Sequence, residues 1–365
     1  MALNALFVGS SGLRANSLAL DVIGHNLANL NTTGYKAQRA LFQDLVYQTL
    51  SAGSAPVGSL GGTDPFQFGG GVGVGSIGTL FQPGSVNLTG RSLDAAIQGS
   101  GLFVVSNGNV TAYTRAGAFG IDSAGYLVDP NTGYRVQRTG LVGEGTATLP
   151  GFQVSGNNDI RIPIGAGLAG IPTANTSFQG NLSSGLAVGE TVTTAIQVYD
   201  SQSAPRSLTI TFTKTADNTF SVSALISGGT ATVPATPVIF DTSGLLVSPA
   251  TLAVDISGIP GTAPQTITLN LGTPGQSTGL TQFGGTSTAT AVTQDGSGFG
   301  TLVGSAFDQL GQVIGQFSNG RTVPIAQMAI AGFNNEAGLL RQGDNYFLAS
   351  PASGGAVIGL SLIHI

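Results

Sequence analysis

Residues 2–31 read ALNALFVGSSGLRANSLALDVIGHNLANLN. This stretch decides the architecture, because it is the one long helical pattern in a chain otherwise written in strands and turns. Leu6, Leu13, Leu20 and Leu27 recur every seven residues, and Leu3, Ile23 and Leu30 fall at the offsets that widen them into a stripe. That is a coiled-coil seam. At about 1.5 Å per residue the helix is a rod of roughly 40 Å. Burying each leucine is worth about 1.5 to 3 kcal/mol, so the stripe is expected to pack against another helix. Small residues, Gly9, Ser10, Ser11, Gly12, Ser17 and Gly24, lie on the opposite flanks and let a neighbouring backbone come close. The pattern ends at Asn29–Gly34, with Gly34 suited to the left-handed residue past a helix end.

Asn4, Arg14, Asn16, Asp21, His25 and Asn26 interrupt every apolar run, which argues against a cleaved secretory signal. No run of about 18 uninterrupted apolar residues exists, so membrane insertion is not expected.

Composition narrows the function. With no cysteine there is no disulfide framework, thiolate nucleophile or cysteine metal site. Charged residues are 8% of the chain and the net charge is −5, spread without blocks. No nucleic-acid-binding surface or polybasic membrane patch follows from that. An ordinary soluble domain carries about a quarter charged residues, so the surface is expected to be covered by copies of the same chain. Self-assembly is the first functional inference.

From 35 to 51 the pattern suits a short helix or an extended arm, and from 52 to 76 the chain turns glycine-rich and reads as a linker or long loop. Within it Gly73-Val74-Gly75-Ser76-Ile77-Gly78 matches the dinucleotide fingerprint as a string. It lacks the preceding strand and following helix that phosphate binding needs, so it reads as a twisted edge strand or turn. From Ile77 the texture is β, through Leu80-Phe81, Val86–Leu88, Leu93–Ile97 and Leu102–Val105.

One device repeats: Ile121-Asp122-Ser123-Ala124-Gly125, Phe240-Asp241-Thr242-Ser243-Gly244 and Phe307-Asp308-Gln309-Leu310-Gly311 each run into strand-type residues. The aspartate accepts bonds from backbone N–H groups and the glycine supplies positive φ, as in a type I turn with a bulge. These aspartates and Gly125, Gly244 and Gly311 are therefore structural.

The segment 141–279 shifts to Thr, Ser, Ala and Val, with clean alternation at Thr209–Thr213 and Gln265–Leu271. It reads as an all-β domain inserted into a discontinuous β core of 77–140 and 280–355. The fold class is thus mainly β and multidomain, with an N-terminal helix (1–33), a linker or arm (34–76) and a short tail (356–365). The only histidines are His25 and His364, which leaves no His-based triad plausible in the body of the chain, and no phosphate loop ending in Gly-Lys-Ser/Thr is present. No catalytic, cofactor-binding or metal residue is assigned, and the chain is not expected to be an enzyme.

At these residues the chain resembles the axial proteins of the bacterial flagellum, most closely the hook proteins. The resemblance is carried by Ser11-Gly12-Leu13, Ile23–Asn29 with Asn26 and Asn29, and Asn31-Thr32-Thr33-Gly34-Tyr35-Lys36. It continues at Leu93-Asp94-Ala95-Ala96-Ile97-Gln98-Gly99-Ser100-Gly101-Leu102-Phe103 and Tyr113-Thr114-Arg115-Ala116-Gly117-Ala118-Phe119. Val198-Tyr199-Asp200-Ser201 resembles the family's inserted outer domain, although Ala204-Pro205 departs from the glycine turn expected there. Gly343-Asp344-Asn345-Tyr346 resembles its returning segment.

The resemblance implies a tubular homopolymer with helices lining the bore, partnered by rod, hook-cap and hook-filament junction proteins. It also implies export by the flagellar type III apparatus and a site outside the cell. It further implies a long C-terminal helix beyond Gly355, which 356–365 is too short to supply. The expectation is a truncated or misassembled frame, with the opening helix short of its partner. A rod subunit is the nearest alternative, distinguished by the extra β domain; a Gly/Thr-rich adhesin or fibre is a second, and a β-rich glycosidase a distant third.

Overall fold

The computed structural model describes residues 2–146, 151–359 and 363–364. Among them the only α-helix is Ala2–Ala28, and nearly everything after it is strand and turn. The protein is mainly β, as its alternating patterns require.

The helix lies on a long antiparallel ribbon. Gln38–Asp44 pairs with Val72–Thr79, Tyr47–Ser51 pairs with Phe66–Gly69, and bridges at Ser54–Thr63 and Val57–Leu60 carry the pairing toward the tip. The glycine-rich stretch read as a loop is therefore paired, by strands at Phe66–Gly69 and Val72–Thr79 and by isolated bridges between them and the tip. Glycine lowers strand propensity locally, but pairing across tens of residues supplies the backbone bonds that propensity does not register. At Gly71, with φ +108°, a Cβ would sit 2.3 Å from Ser11 Oγ. Glycine there lets the ribbon close on the helix.

The helix face that meets the ribbon is the small-residue face. Ser11 Oγ accepts the N–H of Val72 at 3.2 Å, Ala15 and Val22 are buried, and Asn26 bonds both the N–H and the carbonyl of Gln38. Spacings of four, seven and four residues put these on one side. Leu6, Leu13, Leu20 and Leu27 point the other way and are 70%, 75%, 67% and 70% exposed. The leucine seam is uncovered within the single chain, and the flank of small residues is what the chain itself buries.

Beyond the ribbon, Val86–Leu88 forms no strand, and Leu88 is fully in solvent. A nine-stranded sheet then runs through Leu340–Gly343, Tyr346–Leu348, Thr111–Thr114, Leu102–Ser106 and Arg135–Val136. It faces a four-stranded sheet of Gly167–Leu168, Gly300–Phe307, Gln312–Phe317 and Thr322–Gln327 across a core holding Phe103, Phe119, Ile160, Leu168, Val313 and Ile325. Strands from both distant segments share this core. Val357–Gly359 pairs with Ile330–Gly332, and Ile363–His364 pairs with Ala96–Ile97. Residues 360–362 and 365 of the expected tail lie outside the described residues.

A second core, with Phe178, Phe212, Phe220, Phe240, Val254 and Leu269, is enclosed by a five-stranded and a six-stranded sheet. Packing crosses both boundaries expected from composition. Phe152, Ile160, Ile162 and Leu168 belong to the first core, whereas Leu280 and Ala289 belong to the second. Composition changes where strands become threonine-rich, not where cores separate. The two connections between the cores run side by side, bridged at Ile171–Ser297.

The Asp-x-x-Gly turns share one geometry. In each, the carboxylate accepts two N–H groups, from Ala124 and Tyr126 at Asp122, Ser243 and Leu245 at Asp241, and Leu310 and Gln312 at Asp308. Gly125, Gly244 and Gly311 have φ of +85°, +81° and +74°. A fourth turn has the same bonds from Gln202 and Ala204 to Asp200. There the left-handed position is Ser203, at φ +67°. Its hydroxyl accepts the N–H of Gly170 at 2.7 Å, a contact glycine could not make.

Candidate functional site: the root of the arm

The residues singled out by motif converge where helix and ribbon join the β body. Chain enters at Thr33–Lys36 and leaves at Leu80–Gln82, with the N–H of Leu80 donating to the carbonyl of Ala37 at 2.8 Å. Gly34 has φ +72°, and a Cβ there would lie 2.5 Å from the backbone nitrogen of Ala116. Only glycine fits this crossing.

Tyr35 turns back to the helix. Its hydroxyl donates to Asn26 Oδ1 at 2.9 Å, and its ring meets His25 edge-on. Asn26 thereby ties helix, crossing and first ribbon strand through one amide. Asn29 Nδ2 donates to the His25 carbonyl, tightening the helix end. Lys36 is buried, and its Nζ donates to the carbonyl of Gln82 at 2.8 Å, joining the incoming and outgoing chain. Burial, with the neighbouring charge of Arg115, lowers its pKa against the opposing pull of Glu336.

Arg115 is the body's side of the joint. Its guanidinium donates to the carbonyls of Ile97 at 3.0 Å and Gly99 at 2.6 Å. Burial lowers its pKa and Glu336 raises it. Gly101 donates its N–H to Glu336 Oε1 and its positive φ faces Ile330. At Gly117 a Cβ would come within 1.7 Å of the carbonyl oxygen of Ala95. Asp94 bridges to Ala118 and lies 3.7 Å from Arg91. Leu93 and Ile97 pack on the core. Phe119 stacks edge-on against Phe103, and Tyr113 against Phe333. Thr114 donates to the carbonyl of Asn345.

The joint also uses residues that no local pattern assigned to it. Arg341 donates to the carbonyl of Lys36 and stands over the rings of Tyr35 and Phe347, at 5.1 and 5.3 Å. Asn345, at φ +62°, donates from Nδ2 to the carbonyl of Thr33 at 2.9 Å. Phe81 lies 5.2 Å from Phe347. Asn345 sits within a motif noted for resemblance, but nothing within five residues says that it faces Thr33.

The arrangement is mechanical. Backbone carbonyls and buried cations fix the direction in which the arm leaves the body. The arm itself presents uncovered apolar surface: Tyr47–Ser51 and Phe66–Gly69 are exposed along their whole length, with Phe66 against Phe68 at 5.1 Å. A two-stranded ribbon is marginal alone in water, and apolar surface on this scale marks a contact with another molecule. Among the described residues no helix is long and apolar enough to cross a membrane.

Residues 6–36 match the model described as flagella basal body rod protein, 96–184 the flagellar hook protein FlgE/F/G D1 domain, and 188–297 the flagellar basal body protein FlaE D2 domain. The flagellar hook protein FlgE of Treponema pallidum is 35% identical over an alignment 408 positions long, covering 98% of this chain and 88% of that one. The flagellar basal-body rod protein FlgG of Bacillus subtilis is 46% identical, but over 134 residues, 37% of this chain and 50% of that one. Among solved structures, the Helicobacter pylori flagellar hook protein FlgE2 aligns with a TM-score of 0.49 at 15% identity, over 74% of this chain and 97% of that one.

Proposed function

The chain belongs to the flagellar hook protein family, and from that premise we propose that it is the subunit of a curved tubular homopolymer that carries torque from rod to filament. It works in the bacterial flagellum, at the hook and basal body. The observation that carries the reading is the two-sided helix. One face is sealed on the chain's own ribbon, while the opposite face keeps four leucines about two-thirds or more exposed. Leaving them in water forfeits several kilocalories per mole, so a neighbouring helix in the polymer covers them.

The polymer reading extends to partners of its two ends and its export: rod, hook-cap and junction proteins, and the type III apparatus. The arm root, through Thr33–Lys36, Leu93–Gly101 and Tyr113–Phe119, sets arm against body and so the wall of the tube. A helix with Leu6, Leu13, Leu20 and Leu27 outward is the polymerisation element. The organisation we propose is a helix, an arm to about residue 82, a body of about 83–168 and 300–359, and an inserted unit of about 173–295 in place of 141–279. The role is structural and not enzymatic.

Against a rod subunit stands the inserted unit, since the likeness to the rod protein stops at about a third of this chain, whereas that to hook proteins runs almost throughout. Electron cryomicroscopy of hook polymer from the producing bacterium tests the reading. Helices lining the bore with the leucine stripe covered are expected; a stripe facing open solvent would sink it.

A further inference from the structure

The stretch Gln294-Asp295-Gly296-Ser297-Gly298-Phe299-Gly300, one of the two chains joining body and inserted unit, has the composition of a flexible spacer. Its packing is that of a braced joint. None of its glycines takes a left-handed φ, and each has a neighbour pressed against it. A Cβ at Gly296 would lie 2.3 Å from Thr173 Oγ1, one at Gly298 3.1 Å from the Tyr199 ring, and one at Gly300 2.5 Å from the Asn319 amide. On the other chain, a Cβ at Gly170 would come within 1.9 Å of the carbonyl oxygen of Ser297. Glycine serves close approach here, not freedom.

Two hairpin turns grip the paired chains from opposite ends. From the inserted unit, Ser203 Oγ accepts the N–H of Gly170 at 2.7 Å, and Tyr199 lies on Gly298. From the body, Arg321 donates to the carbonyl of Ala169 at 2.9 Å and Asn319 to that of Gly298 at 2.7 Å. Each chain is thus held by both units, one at Ala169 and Gly170 and the other at Gly298. The chains also hold each other, Ile171 and Ser297 exchanging N–H bonds at 3.0 and 2.9 Å. Just inside the inserted unit, Asp295 accepts the backbone N–H groups of Ala174 and Asn175 and the Asn175 side chain, fixing the returning chain on the outgoing one.

We propose that this neck is a strut that holds the inserted unit in one orientation on the body, with Ser203 as the positioning residue that locks it. A hinge needs a few residues free to absorb changes in φ and ψ. Here a rotation at Gly170 or Gly298 breaks a bond to one of the units or drives the two chains together. Ser203 keeps a left-handed φ of +67° that glycine would adopt without strain, and what the serine adds is the bond across the neck. On the hook reading, a body turned by the rod carries its outer unit round without angular play; the neck itself is judged in the single chain, whether or not that reading stands.

Because the chain has no cysteine, a pair of spin labels can be placed at exposed positions, Asn109→Cys in the body and Ser223→Cys in the inserted unit. Pulsed electron resonance on the dilute full-length chain is expected to give one narrow distance distribution. Adding Ser203→Gly should widen it about two-fold or more while the chain melts as its parent does, because relief of backbone strain offsets the lost bond. A role confined to the turn would leave the width unchanged. Gly296→Ala should also widen or displace the distribution, whereas Gly284→Ala, where a Cβ meets only Ser184 Oγ at 3.9 Å, should do neither. A distribution already broad in the parent makes the neck a hinge and overturns the proposal. So does one that stays narrow in Ser203→Gly, or a Gly296→Ala variant that behaves as Gly284→Ala does.

Discussion

Arg341 holds its guanidinium 5.1 Å from the centre of the Tyr35 ring and bonds the carbonyl of the next residue, Lys36. A side chain near the end of the sequence therefore fixes the direction of the arm that begins it. Arg341→Ala is expected to cost about 1 to 3 kcal/mol, from the lost ring contact and charged hydrogen bond. Amide exchange at Tyr35–Gln38 should accelerate while the second core stays protected. Arg341→Lys should restore little, because an ammonium cannot stack on a ring and reach the carbonyl together. Unchanged exchange in Arg341→Ala would refute this role.

Glycines of the β body differ sharply in what they tolerate. Gly117→Ala drives a Cβ to 1.7 Å from the Ala95 carbonyl oxygen, so it should destabilise by about 3 kcal/mol or more. Gly133, in the turn that follows Asp129, has positive φ, +76°, but nothing lies within 4 Å of a Cβ there. Gly133→Ala should cost only about 1 to 2 kcal/mol of backbone strain. Denaturant midpoints of the two variants measure the difference directly.

Opposite faces of the helix should fail in opposite ways. Leu20 is 67% exposed, so Leu20→Asp is expected to leave monomer melting unchanged and abolish polymer. Val22 is 8% exposed against the ribbon, so Val22→Asp should detach helix from ribbon in the monomer itself, an unpaired buried charge being costly. Thermal melting with electron microscopy separates the two, and normal hooks from Leu20→Asp would contradict the assignment.

The inserted unit should fold alone when cut where its core ends. A fragment of 173–295 keeps Leu280, Ala289 and the strand Thr290–Gln294 and should unfold cooperatively. A fragment of 141–279 loses all three and should be markedly less stable. Equal unfolding midpoints would refute the boundary.

Acid should loosen the turn at Asp200. Burial pushes its carboxyl up, but the N–H groups of Ala204 and Gln202 and the guanidinium of Arg206 outweigh that and hold it below its ordinary range. With the folded pKa depressed, the stabilisation is complete above the unfolded value of about 3.9 and fades as pH falls through the folded one. The stability gap between wild type and Asp200→Asn should therefore be wide at neutral pH and close in acid. A gap independent of pH would mean the charge does not matter.

Some of this molecule is written locally. A turn such as Asp122–Tyr126 needs only a carboxylate reaching N–H groups two and four residues ahead and a glycine free to take positive φ, so five residues suffice to specify it. The leucine period of the helix is likewise a property of one short segment, and strand alternation marks which segments pair. Even so, Ser203 does at the Asp200 turn what glycine does elsewhere, because Gly170, from a distant loop, rewards its hydroxyl. Tertiary structure alone decided which helix face is covered, that 38–51 pairs with 66–79, that Phe152 and Leu168 join the first core, and that Arg341 and Asn345 close the arm root. Those outcomes depend on side chains meeting across tens to hundreds of residues. Hydrogen-bonding chemistry and helical period act within a few residues of their own position, whereas apposition is set by how whole sheets pack.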